Sequence, residues 1–180
     1  MAIVATKPSA LAEAFVWRLD TRTGNFAKLL GQNRFRLSII WSYDGNRVLY
    51  SHAESGVLQN NLAGGLLDAF PRTLAGLATL AEKCAFSTDS LKVICGVAQT
   101  FDGGSLLPDD YYKGIFVPSD EVRLVNLVSY ERTTLARLQE LFPPVDVFQP
   151  LTEAKGEKLF FTNRQDDFIY ALRLATPSSP

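Results

Sequence analysis

The chain has 180 residues, of which 47% are apolar and 21% charged, and its formal net charge is −1. These values fit one soluble globular domain long enough to bury a core. They exclude a disordered chain and a uniformly basic nucleic-acid binder, although residues 1–50 sum to +4 and the remaining 130 to −5.

The N-terminus MAIVATKPSALAEAF lacks a long apolar run, so no signal peptide is expected, and residues 1–12 read as an arm. AFVWRLDTRTGNFAKLL follows as a hairpin over 14–30, turning at TRTG. A second hairpin spans about 34–52. In RFRLSIIW, Phe35, Leu37 and Ile39 alternate with Arg34, Arg36 and Ser38, and Asp44-Gly45 supplies the turn. ESGVLQNNLAGG reads as a loop or a poor helix start. In LLDAFPRTLAGLATLAEKCAF, the residues Leu66, Leu67, Phe70, Leu74, Leu77, Leu80, Ala81 and Cys84 fall at helical spacing, with a kink or start at Pro71. LKVICGVAQTF (91–101) is a strand covered on both faces. YYKGIFV (111–117) and EVRLVNLVSY (121–130) read as further strands, and ERTTLARLQELF (131–142) as a short helix stopped by Pro143-Pro144. KLFFTN and DFIYALRL close the chain as a hairpin around NRQDD, before a loose TPSSP tail. No repeat at a fixed solenoid period is visible.

Candidate chemistry is sparse. Cys84 and Cys95 lie in apolar runs and read as buried hydrophobes rather than a disulfide framework, and no stretch approaches 18 uninterrupted apolar residues, so no membrane-spanning segment is expected and the default expectation is a soluble protein in a reducing, intracellular compartment. His52, the only histidine, has Ser51, Glu54 and Ser55 as sequence neighbours, but neighbours on a strand point to opposite faces. It reads as an exposed or loosely bonded histidine at a strand end. Asp102-Gly103-Gly104 with Asp109-Asp110 could offer oxygens to a divalent cation, yet EF-hand spacing is missing and an ordinary loop is the plainer reading. Gly64-Gly65 matches no phosphate-binding motif. No catalytic residue, metal site or cofactor is expected. The adjacent aromatics Tyr111-Tyr112 and Phe160-Phe161 are candidate interface residues, because on a strand one of each pair faces away from the core. Arg18, Arg22, Lys28, Arg34 and Arg36, interleaved with aromatics, are candidate contacts for a single-stranded nucleic acid if they share one sheet face.

From Arg34 onward the expected order is strand, strand, long helix, strand, strand, strand, helix. SIIWSYDGNRVLYS, the leucine-rich helix, DSLKVICG and GIFVPSDEVRLVNLVSYERTTLARLQELF together resemble the longin/roadblock type of α+β module over about residues 34–142. The resemblance implies an antiparallel sheet of about five strands, with a long helix between strands two and three and a second helix after the last. It implies a non-catalytic adaptor or complex subunit with a protein partner or a homo-oligomeric state, in trafficking or small-GTPase regulation. The expected organisation is one domain: an N-terminal arm and hairpin (1–33), a core (34–142), and a C-terminal hairpin and tail (143–180).

Overall fold

The computed structural model describes residues 2–30, 35–54, 57–64, 72–74, 77–99, 105–138 and 144–174, with the backbone alone over 54 and 57–64. The described chain is almost entirely β. It forms four antiparallel sheets in succession, each a meander in which consecutive strands are neighbours. Sheet 1 contains β1 (Ala2–Ala5), β2 (Val16–Leu19) and β3 (Phe26–Leu30). Sheet 2 contains β4 (Phe35–Trp41), β5 (Arg47–Glu54), β6 (Val57–Gly64) and β7 (Arg72–Thr73). Sheet 3 contains β8 (Cys84–Phe86), β9 (Lys92–Ala98), β10 (Asp120–Asn126) and β11 (Arg132–Arg137). Sheet 4 contains β12 (Val147–Thr152), β13 (Lys158–Asn163) and β14 (Ile169–Arg173).

Alternation along the strands gives every sheet two faces, and apolar residues on those faces join each sheet to the next. Val16, Leu37, Val48 and Tyr50 join sheets 1 and 2. Leu49, Phe86, Val93 and Val125 join sheets 2 and 3, and Ile94, Val122, Val147, Leu159 and Phe161 join sheets 3 and 4.

The Asp44-Gly45 hairpin is present as β4–β5, with Gly45 at φ +71°. Its turn recurs in the next sheet. The Ser42 hydroxyl donates to Asp44 Oδ1 (2.6 Å) and accepts the Arg47 N–H (2.8 Å). The Ser87 hydroxyl donates to Asp89 Oδ1 (2.5 Å) and accepts the Lys92 N–H (2.9 Å). The turns also link sheet to sheet: the Asp44 N–H donates to Ser90 Oγ (3.2 Å), the Arg47 guanidinium donates to the Ser90 carbonyl, and Thr88 Oγ1 donates to the Ala154 carbonyl (3.2 Å). The serine hydroxyls, with backbone N–H groups at Asn46 and Leu91, hold the Asp44 and Asp89 carboxyls below the ordinary value of 3.8. Their contribution to stability is therefore complete above that pH and is lost as pH falls through the folded-state values. Asp44→Asn combined with Asp89→Asn is expected to flatten the acid limb of the stability curve, measured as urea midpoints from about pH 3 to about pH 6.

Several expectations are corrected. The fold is not α+β, and the longin/roadblock resemblance falls with the helices it needed; the trafficking and small-GTPase roles rested on it alone. Part of the expected helix over 66–85 lies outside the described residues (65–71, 75 and 76). The rest forms β7, a 3-10 turn at Ala81–Lys83 and β8. Leu74, Leu77 and Leu80 are apolar because this connection is buried between sheets rather than because it coils. ERTTLARLQELF does not form a helix over its described part. The turn from Asn126 to Glu131 returns the chain alongside β10, pairing Leu124 with Thr133 and Val122 with Ala136. Cross-strand pairing and β-branched Thr133 and Thr134 override a leucine spacing that also fits a helix. The expected strand at 111–117 is instead the single helical turn α1 (Asp109–Tyr112), followed by Gly114 at φ +74°. Cys84 and Cys95 are partners across β8–β9 and form a disulfide. His52 is buried rather than exposed, its ring 5.7 Å from Tyr50.

One glycine is fixed by close approach. A Cβ at Gly96 would lie 2.5 Å from Val147 Cβ and 2.8 Å from Asp120 Oδ2. Gly96→Ala is expected to cost about 1–3 kcal/mol by overpacking the contact between sheets 3 and 4, read as a lowered Tm.

Candidate interaction face

The strand directions send two kinds of connection to one end of the molecule: those entering the first strand of a sheet, and those joining its second strand to its third. Segment 77–83 enters β8 and segment 144–146 enters β12. Segment 105–119 follows β9, and 164–168 follows β13. Residues 6–15, between β1 and β2, meet them there: the Ser9 hydroxyl donates to Asp109 Oδ1 (3.2 Å), the Ala10 N–H donates to Asp109 Oδ2, and Lys7 Nζ lies 5.5 Å from the centre of the Tyr112 ring. The Ser-x-Asp turns occupy the opposite end.

A buried ion cluster ties these segments together. Lys83 Nζ lies 2.8 Å from Asp120 Oδ2 and 2.6 Å from Asp146 Oδ1, and all three side chains are almost fully buried. The Tyr111 hydroxyl donates to Asp146 Oδ1 (3.1 Å), and Asp120 Oδ2 also accepts the Val147 N–H (2.8 Å). The Arg164 guanidinium stands 4.3 Å from the Tyr111 ring centre and donates to the Tyr112 carbonyl (3.0 Å). Burial raises the Asp120 carboxyl above its ordinary value, with Lys83 opposing the shift. Burial and the charge of Asp146 raise the Tyr111 hydroxyl, which stays protonated as a donor. Beside them Glu82 is raised by burial.

Segment 105–119 is built on this cluster. The Leu106 N–H donates to Asp110 Oδ2 (2.7 Å), the Ile115 and Phe116 N–H groups donate to the Asp110 carbonyl, and Leu107 packs with Leu80 and Tyr111. The segment is anchored, yet Leu106, Ile115 and Val117 are exposed, as is Leu11 nearby on segment 6–15. Between Val117 and Arg164 lies a cavity of about 210 Å³, lined by Tyr111, Gly114, Phe116, Val117, Asp146, Arg164 and Gln165. Asp109 and Asp110 are engaged by backbone N–H groups, and among the described residues no three metal-ligating side chains converge.

The expected site residues are dispersed. Tyr111 is buried and serves the ion cluster, while Tyr112 is half-buried beside it. Phe161 is buried and stacks on Tyr170, whereas Phe160 faces outward on sheet 4. Trp17 pairs with Lys28 and Arg18 with Ala27, so Arg18 and Lys28 project from opposite faces of sheet 1. Lys28 Nζ stands 4.2 Å from the Phe15 ring centre, and Arg22 lies in the β2–β3 turn. Arg36 is half-buried, and Arg34, Asp102, Gly103 and Gly104 lie outside the described residues. Lys83, Asp120, Asp146 and Arg164 were not singled out by sequence reasoning.

No protein-family model matches the sequence, and a search of curated protein sequences finds no match. Solved structures do match the fold. TolB from Acinetobacter baumannii superposes with a TM-score of 0.64 at 13% identity, covering 98% of this chain and 40% of that one. A putative TolB from Agrobacterium tumefaciens gives 0.60 at 13% identity, with 96% and 58% covered. An oligogalacturonate lyase in complex with manganese gives 0.59 at 15% identity, with 96% and 45% covered. The fold is therefore of the TolB-like β-propeller type, and the four sheets are successive blades. The chain spans less than two thirds of the length of each of these proteins.

Proposed function

We propose that this chain is a protein-interaction module, acting as one domain, whose binding surface is the end formed by segments 6–15, 105–119 and 164–168. The observation that carries this reading is the combination at segment 105–119: apolar Leu106, Ile115 and Val117 stand exposed on backbone pinned by Asp109, Asp110 and the buried Lys83 cluster. Exposed apolar groups on an ordered scaffold bind without the entropy cost of ordering a loop. A propeller fold by itself fixes no activity, so the proposal stands on this surface.

Ile115→Asp combined with Val117→Asp tests it. In affinity purification of the full-length tagged protein from its native host, the pair is expected to reduce recovery of a stoichiometric partner about tenfold or more. Stability should stay within about 0.5 kcal/mol of wild type, because both side chains are exposed. Unchanged partner recovery would overturn the assignment of the surface.

A further inference from the structure

Arg164 is fixed in place, yet one of its donors has no acceptor. Its backbone N–H donates to the Asp146 carbonyl (3.1 Å), and its Nη2 donates to the Tyr112 carbonyl (3.0 Å). Its guanidinium carbon stands 4.3 Å from the centre of the Tyr111 ring and 5.7 Å from that of Phe148. Nη1 is buried and donates to nothing; among the described residues it is the one buried side-chain nitrogen left without an acceptor. Arg164 also forms no ion pair among the described residues. Buried polar groups are nearly always paired, so a buried guanidinium donor without an acceptor calls for one.

The same arginine lines the cavity of about 210 Å³ beside segment 105–119. One water needs only about 10–15 Å³ of such space, so the cavity admits an organic group. Tyr111, Phe116 and Val117 supply apolar wall, and Gly114, at φ +74°, has open space where a Cβ would stand. The other charge on the wall is Asp146, and Lys83 (2.6 Å) and the Tyr111 hydroxyl (3.1 Å) already share its Oδ1. Burial raises the Asp120 and Glu82 carboxyls above their ordinary values, which reduces the negative charge they set against an anion.

We propose that this cavity receives a carboxylate borne by the bound partner, with Arg164 as its anchor. The guanidinium fork matches a carboxylate in shape and charge, and Nη1 supplies a hydrogen bond that nothing else uses. The carbons that carry the carboxylate pack on Tyr111, Phe116 and Val117. Arg164 is already positioned by the Asp146 and Tyr112 carbonyls and the Tyr111 ring, so binding orders no long side chain. The inference rests on the reading of this end as the partner surface, and it names what the partner must present there.

Such a carboxylate has two sources, an acidic side chain and a chain end. The α-amide of N-acetylaspartate and N-acetylalanine are the corresponding probes, and the amide of N-acetylasparagine is the uncharged control. Titrated at low salt into the isotope-labelled protein, one of the charged probes is expected to shift the Gly114, Val117 and Gln165 amide signals with a Kd of about 1 mM. The tighter of the two identifies the source. The asparagine control should bind at least about tenfold more weakly. Arg164→Met should weaken the charged probe about tenfold or more, and Arg164→Lys should recover only part of that loss, since it keeps the charge without the fork. The comparison of charged and uncharged probes needs no variant, so a folding defect at position 164 leaves the test intact. No saturable shift from either charged probe at about 20 mM, or equal binding by the asparagine control, would overturn the proposal. The probes read the cavity without the partner, so the two readings fail separately. Lost partner recovery in the Ile115→Asp, Val117→Asp pair with neither probe binding defeats the cavity assignment; probe binding with unchanged recovery defeats the partner surface.

Discussion

Lys83→Ala is expected to lower stability by about 3–5 kcal/mol, the cost of leaving a buried charge partnership broken. The lysine lies between Asp120 and Asp146, and removing it leaves two carboxylates in a site that water scarcely reaches. Asp120 is already raised above its ordinary value with the lysine present. Without that cation the Asp120 carboxyl is driven further toward its protonated form, so the deficit should be largest near neutral pH and shrink as pH falls through its raised folded-state value. Urea unfolding at about pH 7 and about pH 5 measures both the size and the sign. Lys83→Met combined with Asp120→Asn and Asp146→Asn should recover most of the loss, because these three positions then bury no charge and an amide oxygen at position 120 can still accept the Val147 N–H. A deficit independent of pH would indicate lost packing rather than unpaired charge.

Leu159→Ala is expected to cost about 2–5 kcal/mol. Leu159 is wholly buried on the face of β13 that packs toward blade 3, in the same cluster as Ile94, Val122 and Val147. Truncation removes apolar contact and leaves a cavity between sheets whose separation is already fixed by the close approach of Gly96 to Val147. The melting temperature should fall by several degrees. Leu11→Ala, at an exposed position, should leave stability within about 0.5 kcal/mol of wild type.

The hairpins were legible because their signals are local. Asp44-Gly45, the TRTG turn and the NRQDD turn each sit between β-forming runs, and all three appear as antiparallel pairs. The stretches read as helices failed for a different reason. Leucines at three- and four-residue spacing also occur where a connection is buried irregularly, as at Leu74, Leu77 and Leu80, or where a strand and the residue just past its end reach one core, as at Leu135 and Leu138. Once β8 is mistaken for helix, Cys84 and Cys95 no longer appear opposite one another, and their bond is hidden.

The most informative signal was a repeat. SYDGNR and STDSLK place Ser, Asp and a basic residue at identical offsets, 45 residues apart, and each makes the same serine-to-aspartate turn. Aligning the two would have pointed to successive blades. The ion cluster has no comparable trace. Lys83, Asp120 and Asp146 come together only because each stands at the mouth of a strand in a different part of the chain. A charged residue directly before an apolar strand is ordinarily a solvated terminus.

A site-specific photo-crosslinker most directly tests the claim that the loop end is the binding surface. It would be placed at Val117 in one variant and at Lys155, at the opposite end, in another, each in the full-length protein within its native host. The account predicts a discrete protein adduct from Val117 and none from Lys155. Equal adducts from both positions, or an adduct from Lys155 alone, would contradict it.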